Sequence, residues 1–231
     1  MDINTTDKKY SSKLHTFFDL VYKLLVINIM TVIVSLPIIT IFPMIVAATA
    51  TIKNDLNQTG IFKPLFKNFA KYFLRAFLMG LVLILIFGSG LYAVYFWSKA
   101  TTESKTTEII MQIAVVVVPV CLIIFIFMTV HIPLLMITFE KLTNYQIFKT
   151  SLYVSIRYFI TTLIMLFAVL FIIGILVLCL FIPGVLAIWM ILGISLPLYL
   201  VVKVTMPVYY KFAKIDFEEI SEQARKDLED E

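Results

Sequence analysis

Seven glycines, two histidines and two cysteines in 231 residues leave this sequence short of the residue types from which most catalytic sites are assembled. Scarce glycine argues against backbone loops that wrap a phosphate, and no P-loop, GxSxG elbow or HExxH pair occurs. His15 and His131 are far apart in the chain with no cysteine beside either, so they do not read as a metal-ligand set. Cys121 and Cys179 each sit in the middle of an apolar run, where a small buried hydrophobe is the expected role. A disulfide would need two helices to bring them within a few ångströms. Charge is scarce too: 15% of the chain, against about 25% in an ordinary soluble domain. Buried carboxylate pairs are missing, since the acids fall in termini, loops or segment ends, with Asp19 at an interface beside Lys23. These absences leave no residues on which to build catalysis, and the expectation is a non-enzyme without cofactor or metal.

Apolar residues take up the difference, at 61% of the chain. A soluble fold of this length has no interior able to hide that excess, whereas lipid solvates it without penalty. Five strongly apolar stretches stand out, at about residues 20–52, 72–98, 109–139, 158–182 and 185–210. A spanning helix needs about 20 residues, so the second, fourth and fifth read as single spans. The first and third are too long for one ordinary span, and the first is also too long for the core of a cleaved secretory signal. It contains Pro37 and Pro43, and proline removes a helix donor and clashes with the preceding turn, so a kink or reversal is expected there.

Basic residues gather near the N-terminus (Lys8, Lys9, Lys13, Lys23), in residues 53–75 (Lys53, Lys63, Lys67, Lys71, Arg75) and in residues 140–157 (Lys141, Lys149, Arg157). Residues 99–108 balance Lys99 and Lys105 against Glu103 and Glu108. The positive-inside rule puts the basic regions in the cytoplasm and the balanced loop outside. The first stretch must then enter and return around Pro37 to Pro43, giving six segments with both termini inside. Its return arm, residues 38–52, would be about 22 Å long, shorter than the roughly 30 Å core, and would call for tilt or local thinning. The rival is one long kinked helix, five spans and an outside N-terminus. Either way the fold class is all-α, a polytopic transmembrane helical bundle of five to six segments filling residues 1–215.

The two central basic loops resemble one another. Ile61-Phe62-Lys63 and Tyr72-Phe73 recur 86 residues on as Ile147-Phe148-Lys149 and Tyr158-Phe159. Each loop follows a proline-bearing segment (Pro43, Pro133) and leads into an apolar helix. Each reads as a short amphipathic interfacial helix: in the first, Phe62, Leu65, Phe66 and Phe69 sink while Lys63, Lys67 and Lys71 snorkel. A parallel repeat would have halves of about 20–98 and 109–182, with 185–210 as an added last span. The alternative is chance similarity between aromatic, basic stretches.

The run Asn28 to Pro37, then Phe42-Pro43, Ala47-Ala48, the polar break at Lys53 to Gly60, Ile61-Phe62-Lys63, Phe66 and Asn68-Phe69 resembles the N-terminal signature of the YesL-like bacterial membrane proteins. The likeness is strongest over residues 20–90. It implies a bacterial plasma-membrane protein found alongside carbohydrate uptake and polysaccharide utilisation systems. That family has no established biochemical activity, so the resemblance supplies no catalytic or ligand residues.

Polar residues inside apolar segments are costly and mark candidate sites. Asn28, His131 and Lys203 form the candidate intramembrane polar site. For each there is a structural alternative: helix–helix glue for Asn28, a bond to a carbonyl freed by Pro133 for His131, and snorkelling for Lys203. Pro37, Pro43, Pro133 and Pro207 are the candidate helix-breaking positions. Residues 216–231 hold eight acids against Arg225 and Lys226 and read as an acidic cytoplasmic tail, which solvation or a docking role would explain. The expected partners are the bilayer, anionic inner-leaflet lipids drawn to the basic loops, and a subunit of a membrane transport complex. Nucleic acid is not expected, because the positive charge follows the membrane boundary. Two functions remain: a non-catalytic accessory subunit of a bacterial transport, secretion or envelope system, or a transporter or channel with its own pathway between the repeat halves.

Overall fold

The structure, a computed structural model, describes the backbone of residues 3–58, 60–99 and 105–229 and the side chains of residues 14–58, 60–99, 109–187 and 189–212. Helix α1 is Ile3–Val34, followed by a 3₁₀ turn, Ile38–Thr40. The remaining helices are α2 (Ile41–Asn54), α3 (Phe62–Lys99), α4 (Lys105–Thr138), α5 (Asn144–Arg157), α6 (Phe159–Phe181), α7 (Pro183–Leu192) and α8 (Ser195–Glu229). Among the described residues there is no strand, and the all-α class holds. Among the described residues four helices are long and apolar enough to cross a membrane, α7 and α8 make a fifth if the bent pair is one span, and Ile38–Asn54 is a shorter apolar piece.

The first apolar stretch breaks at Ser35–Pro37, as its prolines require. Leu36, Ile38 and Ile39 on the turn are exposed, and the break leaves backbone groups to be satisfied. Thr40 does part of this: its hydroxyl lies on the carbonyl oxygen of Val34, which the break leaves open, and on that of Pro37, which also accepts the Thr40 N–H. Pro37 sits at the break itself, and Pro43 falls in the first turn of α2, where a missing N–H is harmless. Pro133 and Pro207, also expected to break helices, instead lie inside the continuous α4 and α8.

The short return arm turns out to be the centre of the molecule. Met44, Val46, Ala47, Ala48, Ala50 and Thr51 of α2 are at most 1% exposed, walled in by α1, α3, α4 and α8. A helix surrounded by protein does not have to match the bilayer thickness, so the thinning expected from its length is not needed. The run Ala47-Ala48-Thr49-Ala50-Thr51 makes this possible, because small side chains let backbones approach closely. Gly80 of α3 serves the same end: a Cβ there would lie 3.0 Å from Cβ of Phe42. Helix α1 presents Leu24, Ile27, Asn28 and Thr31 to this core at helical spacing, all at most 2% exposed.

The two related loops fold differently. In the first, the amphipathic segment and the span fuse into the single helix α3. In the second, the amphipathic α5 is separate and the chain breaks at Tyr158 before α6. Helix α5 opens with a capping box, Thr143 and Gln146 each accepting from the other's backbone N–H at 3.3 and 2.8 Å. The expected single span at 185–210 is likewise two helices, bent by 43° between α7 and α8. The outer parts of α3, α4 and α6 carry many exposed apolar side chains, Leu85, Tyr92, Val116, Val120, Phe167 and Leu178 among them. Cys121 is exposed there rather than buried, because that part of α4 has no neighbour on its side; both cysteines are free. The loop expected outside falls largely outside the described residues. The backbone of α8 runs on to Glu229, while the side chains of the acidic tail lie outside the described residues.

Candidate functional site

Asn28 is 0% exposed on α1 and uses all four hydrogen-bonding positions of its amide. Its Nδ2 donates to the carbonyls of Trp189, at 3.1 Å, and Met190, at 2.7 Å. Its Oδ1 accepts from the N–H groups of Ile194, at 2.7 Å, and Ser195, at 2.9 Å. In a continuous helix the Ile194 N–H would donate to the Met190 carbonyl. Asn28 takes both of those groups and splices the bend between α7 and α8. The expected glue role describes it well. Trp189 Nε1 and Ser195 Oγ at this hinge, and Thr31 Oγ1 and Ser35 Oγ on and just after α1, are buried with no hydrogen-bond partner among the described residues.

His131 lies elsewhere, at the meeting of α4, α6 and α8. Its Nδ1 meets the Tyr209 hydroxyl, and its Nε2 lies 2.8 Å from Thr162 Oγ1. Thr162 in turn donates to the carbonyl of Ser155, 3.0 Å away. The single hydroxyl proton of Thr162 goes to that carbonyl, so its oxygen accepts from Nε2–H, and Nδ1 accepts from the Tyr209 O–H. This fixes a neutral imidazole and satisfies every member. The expectation that His131 caps a carbonyl freed by Pro133 is corrected: that carbonyl belongs to Thr129, on the helix itself, whereas the ring reaches across to two other helices. Thr162 stands in the first turn of α6, just past the break from α5, and its hydroxyl closes the Ser155 carbonyl that the break opens.

A third polar group assembles where the two basic loops meet. Glu140 Oε1 accepts from Lys71 Nζ at 2.7 Å and from the Tyr72 hydroxyl at 2.5 Å. Arg75 donates to the carbonyls of Glu140, at 3.0 Å, and Leu142 and, at 3.1 Å, to Asn144 Oδ1. Asn68 joins α3 to α2 through Thr51 Oγ1 at 3.0 Å and Asp55 Oδ2 at 2.8 Å. Lys53 Nζ reaches Thr138 Oγ1 at 3.0 Å. Hydrogen bonds from Lys71 and then Tyr72 hold the Glu140 carboxyl below the usual carboxylate range. Thus Lys71, expected to snorkel, is tied to the neighbouring loop, and so is Arg75.

Lys203 is exposed on α8, with its ammonium over the Tyr199 ring at 5.8 Å. The three residues of the expected polar site therefore occupy three surroundings, and no cavity described here is lined by all of them. An apolar cleft of about 290 Å³ lies between α2, α3, α4, α6 and α8, with Phe42, Thr49, Pro133, Met165 and Val201 among its walls. Sequence reading missed Glu140, Thr162 and Tyr209. Glu140 looks like any loop acid, and Thr162 and Tyr209 sit in apolar segments with no period that marks their partners.

Residues 24–96 match the model of a family described as a protein of unknown function, DUF624. The matched region runs from the buried face of α1 through α2 to most of α3, and contains Asn28, Asn68, Lys71, Tyr72 and Arg75 but not Glu140, His131 or Tyr209. It overlaps the stretch that resembles the YesL-like proteins, with which the match is consistent. No curated protein and no solved structure matches the chain.

Proposed function

We propose that this chain is a non-catalytic accessory subunit of a bacterial membrane system for transport, secretion or envelope work, with carbohydrate uptake as the setting that the YesL-like resemblance favours. The observation that carries the reading is the use to which buried polar side chains are put. Asn28, His131 and Thr162 spend their hydrogen bonds joining helices, which builds a rigid inner bundle and leaves the apolar outer parts of α3, α4 and α6 facing lipid or another membrane protein. In this reading the membrane is the bacterial plasma membrane, and the end bearing Lys71, Arg75 and Glu140 is cytoplasmic, because it gathers the basic loops. The C-terminus leaves α8 on that same side. Co-purification from the native host in mild detergent after gentle crosslinking tests the proposal. One membrane partner in stoichiometric yield is expected, and a chain that runs alone removes the support.

A second reading, a transporter or channel, draws on the α7–α8 hinge. A broken helix beside buried, unpartnered hydroxyls is how many transporters build a site. Solute uptake into vesicles by the purified chain alone would favour it over the first.

A further inference from the structure

Between α2 and α8 a cleft of about 280 Å³ is lined by Ile52, Lys53, Tyr199, Val202, Lys203, Met206 and Tyr210. It differs from the apolar clefts in holding two cations from different helices. The ammonium of Lys53 sits over the Tyr210 ring at 5.9 Å and that of Lys203 over the Tyr199 ring at 5.8 Å. Lys53 gives protons to Thr138 Oγ1, at 3.0 Å, and to the Ile137 carbonyl, at 3.4 Å, which leaves one ammonium proton over. Glu140, the carboxylate that acts on Lys53 through space, is bound to Lys71 and Tyr72. Asp19 on α1 is paired with Lys23, and among the described residues no carboxylate forms an ion pair with Lys203.

Lys203 lies eight residues before Lys211, about 12 Å along the helix axis. An ammonium exposed at that depth is costly unless it reaches the headgroup layer or meets an anion. Here it converges with a second cation, and the tyrosines supply hydroxyl donors and flat walls. We propose that this cleft binds the phosphate of an anionic phospholipid, held between Lys53 and Lys203 with Tyr199 and Tyr210 flanking it. The ligand class is the phosphodiester headgroup of the bilayer's own anionic lipid. Basic clefts between spans on the cytoplasmic side are suited to such headgroups. The site rests on α8 lying in a membrane and not on any partner protein, so it stands or falls separately from the accessory role.

The test is native mass spectrometry of the full chain released from nanodiscs containing equal phosphatidylglycerol and phosphatidylcholine. Wild type is expected to retain one phosphatidylglycerol in preference to phosphatidylcholine. Lys203→Gln and Lys53→Gln should each weaken retention roughly fivefold, and Lys203→Arg should preserve it. Lys63→Gln and Lys67→Gln, on α3 outside the cleft, should change nothing. Lys203 is exposed, so its variant folds whether or not Lys53→Gln does. Equal losses in the α3 controls, or full retention by Lys203→Gln, would overturn the proposal. Displacement of the lipid by millimolar inorganic phosphate would also overturn it, by assigning the cleft to a soluble anion.

Discussion

The hinge between α7 and α8 and the junction that joins α4, α5 and α6 are both interruptions of helix, but they are mended in opposite ways. At the hinge one side chain from the far end of the sequence, Asn28, takes two carbonyls and two N–H groups. At the junction the work is divided. Thr162 closes the break from within its own helix, Thr143 and Gln146 cap α5, and Arg75 and Glu140 tie the loop to α3. A single buried mend is unscreened and fails all at once, whereas a distributed one near the headgroups is graded and sensitive to pH.

Asn28→Leu should give the largest effect, about 3 kcal/mol of lost stability, because it strands the Met190 carbonyl and the N–H groups of Ile194 and Ser195. Equilibrium unfolding in mixed micelles measures it, and a loss no larger than that of an exposed α6 substitution would erase the contrast drawn between the two regions. Thr162→Val comes next, at about 2 kcal/mol, since it strands the Ser155 carbonyl and the His131 Nε2–H together. Thr162→Ser keeps the hydroxyl and should restore most of that in the same assay.

Glu140→Gln should cost least, about 1 kcal/mol, because the carboxylate is half exposed and the solvent screens it. It carries its own pH signature. The folded carboxyl titrates below its unfolded value of about 4.3. Its stabilisation is therefore present above that value and lost as pH falls through the lower, folded one. Melting curves recorded from pH 6 downward should show an acid-side decline that Glu140→Gln flattens; identical profiles would mean that the junction does not depend on this charge.

This contrast also marks what could be read from the amino acids. Local features were legible. The apolar stretches, the reversal at Ser35–Pro37 and the amphipathic α5 follow from proline chemistry and periodicity within a few residues of sequence. Mends that draw on a distant partner were not. Nothing near Asn28 says that it will meet Trp189 and Ser195, and Tyr209 reads as one more aromatic at the end of a span. The start of α5 had a local sign in Thr143-x-x-Gln146, which announces a helix N-terminus. The burial of α2 had one too, in its run of alanines and threonines, which suits close packing rather than lipid. Length alone pointed the other way, to a short return arm that would need tilt or local thinning of the bilayer.

That central position of α2 constrains how the protein is made. Its walls include α1, which precedes it, and α8, which comes much later in the chain. Until residues 195–212 are made, one side of α2 is uncovered and Asn28 is without its hinge. Completion of the first apolar helices and closure of the core around them are therefore separate events, and the closing step belongs to α8.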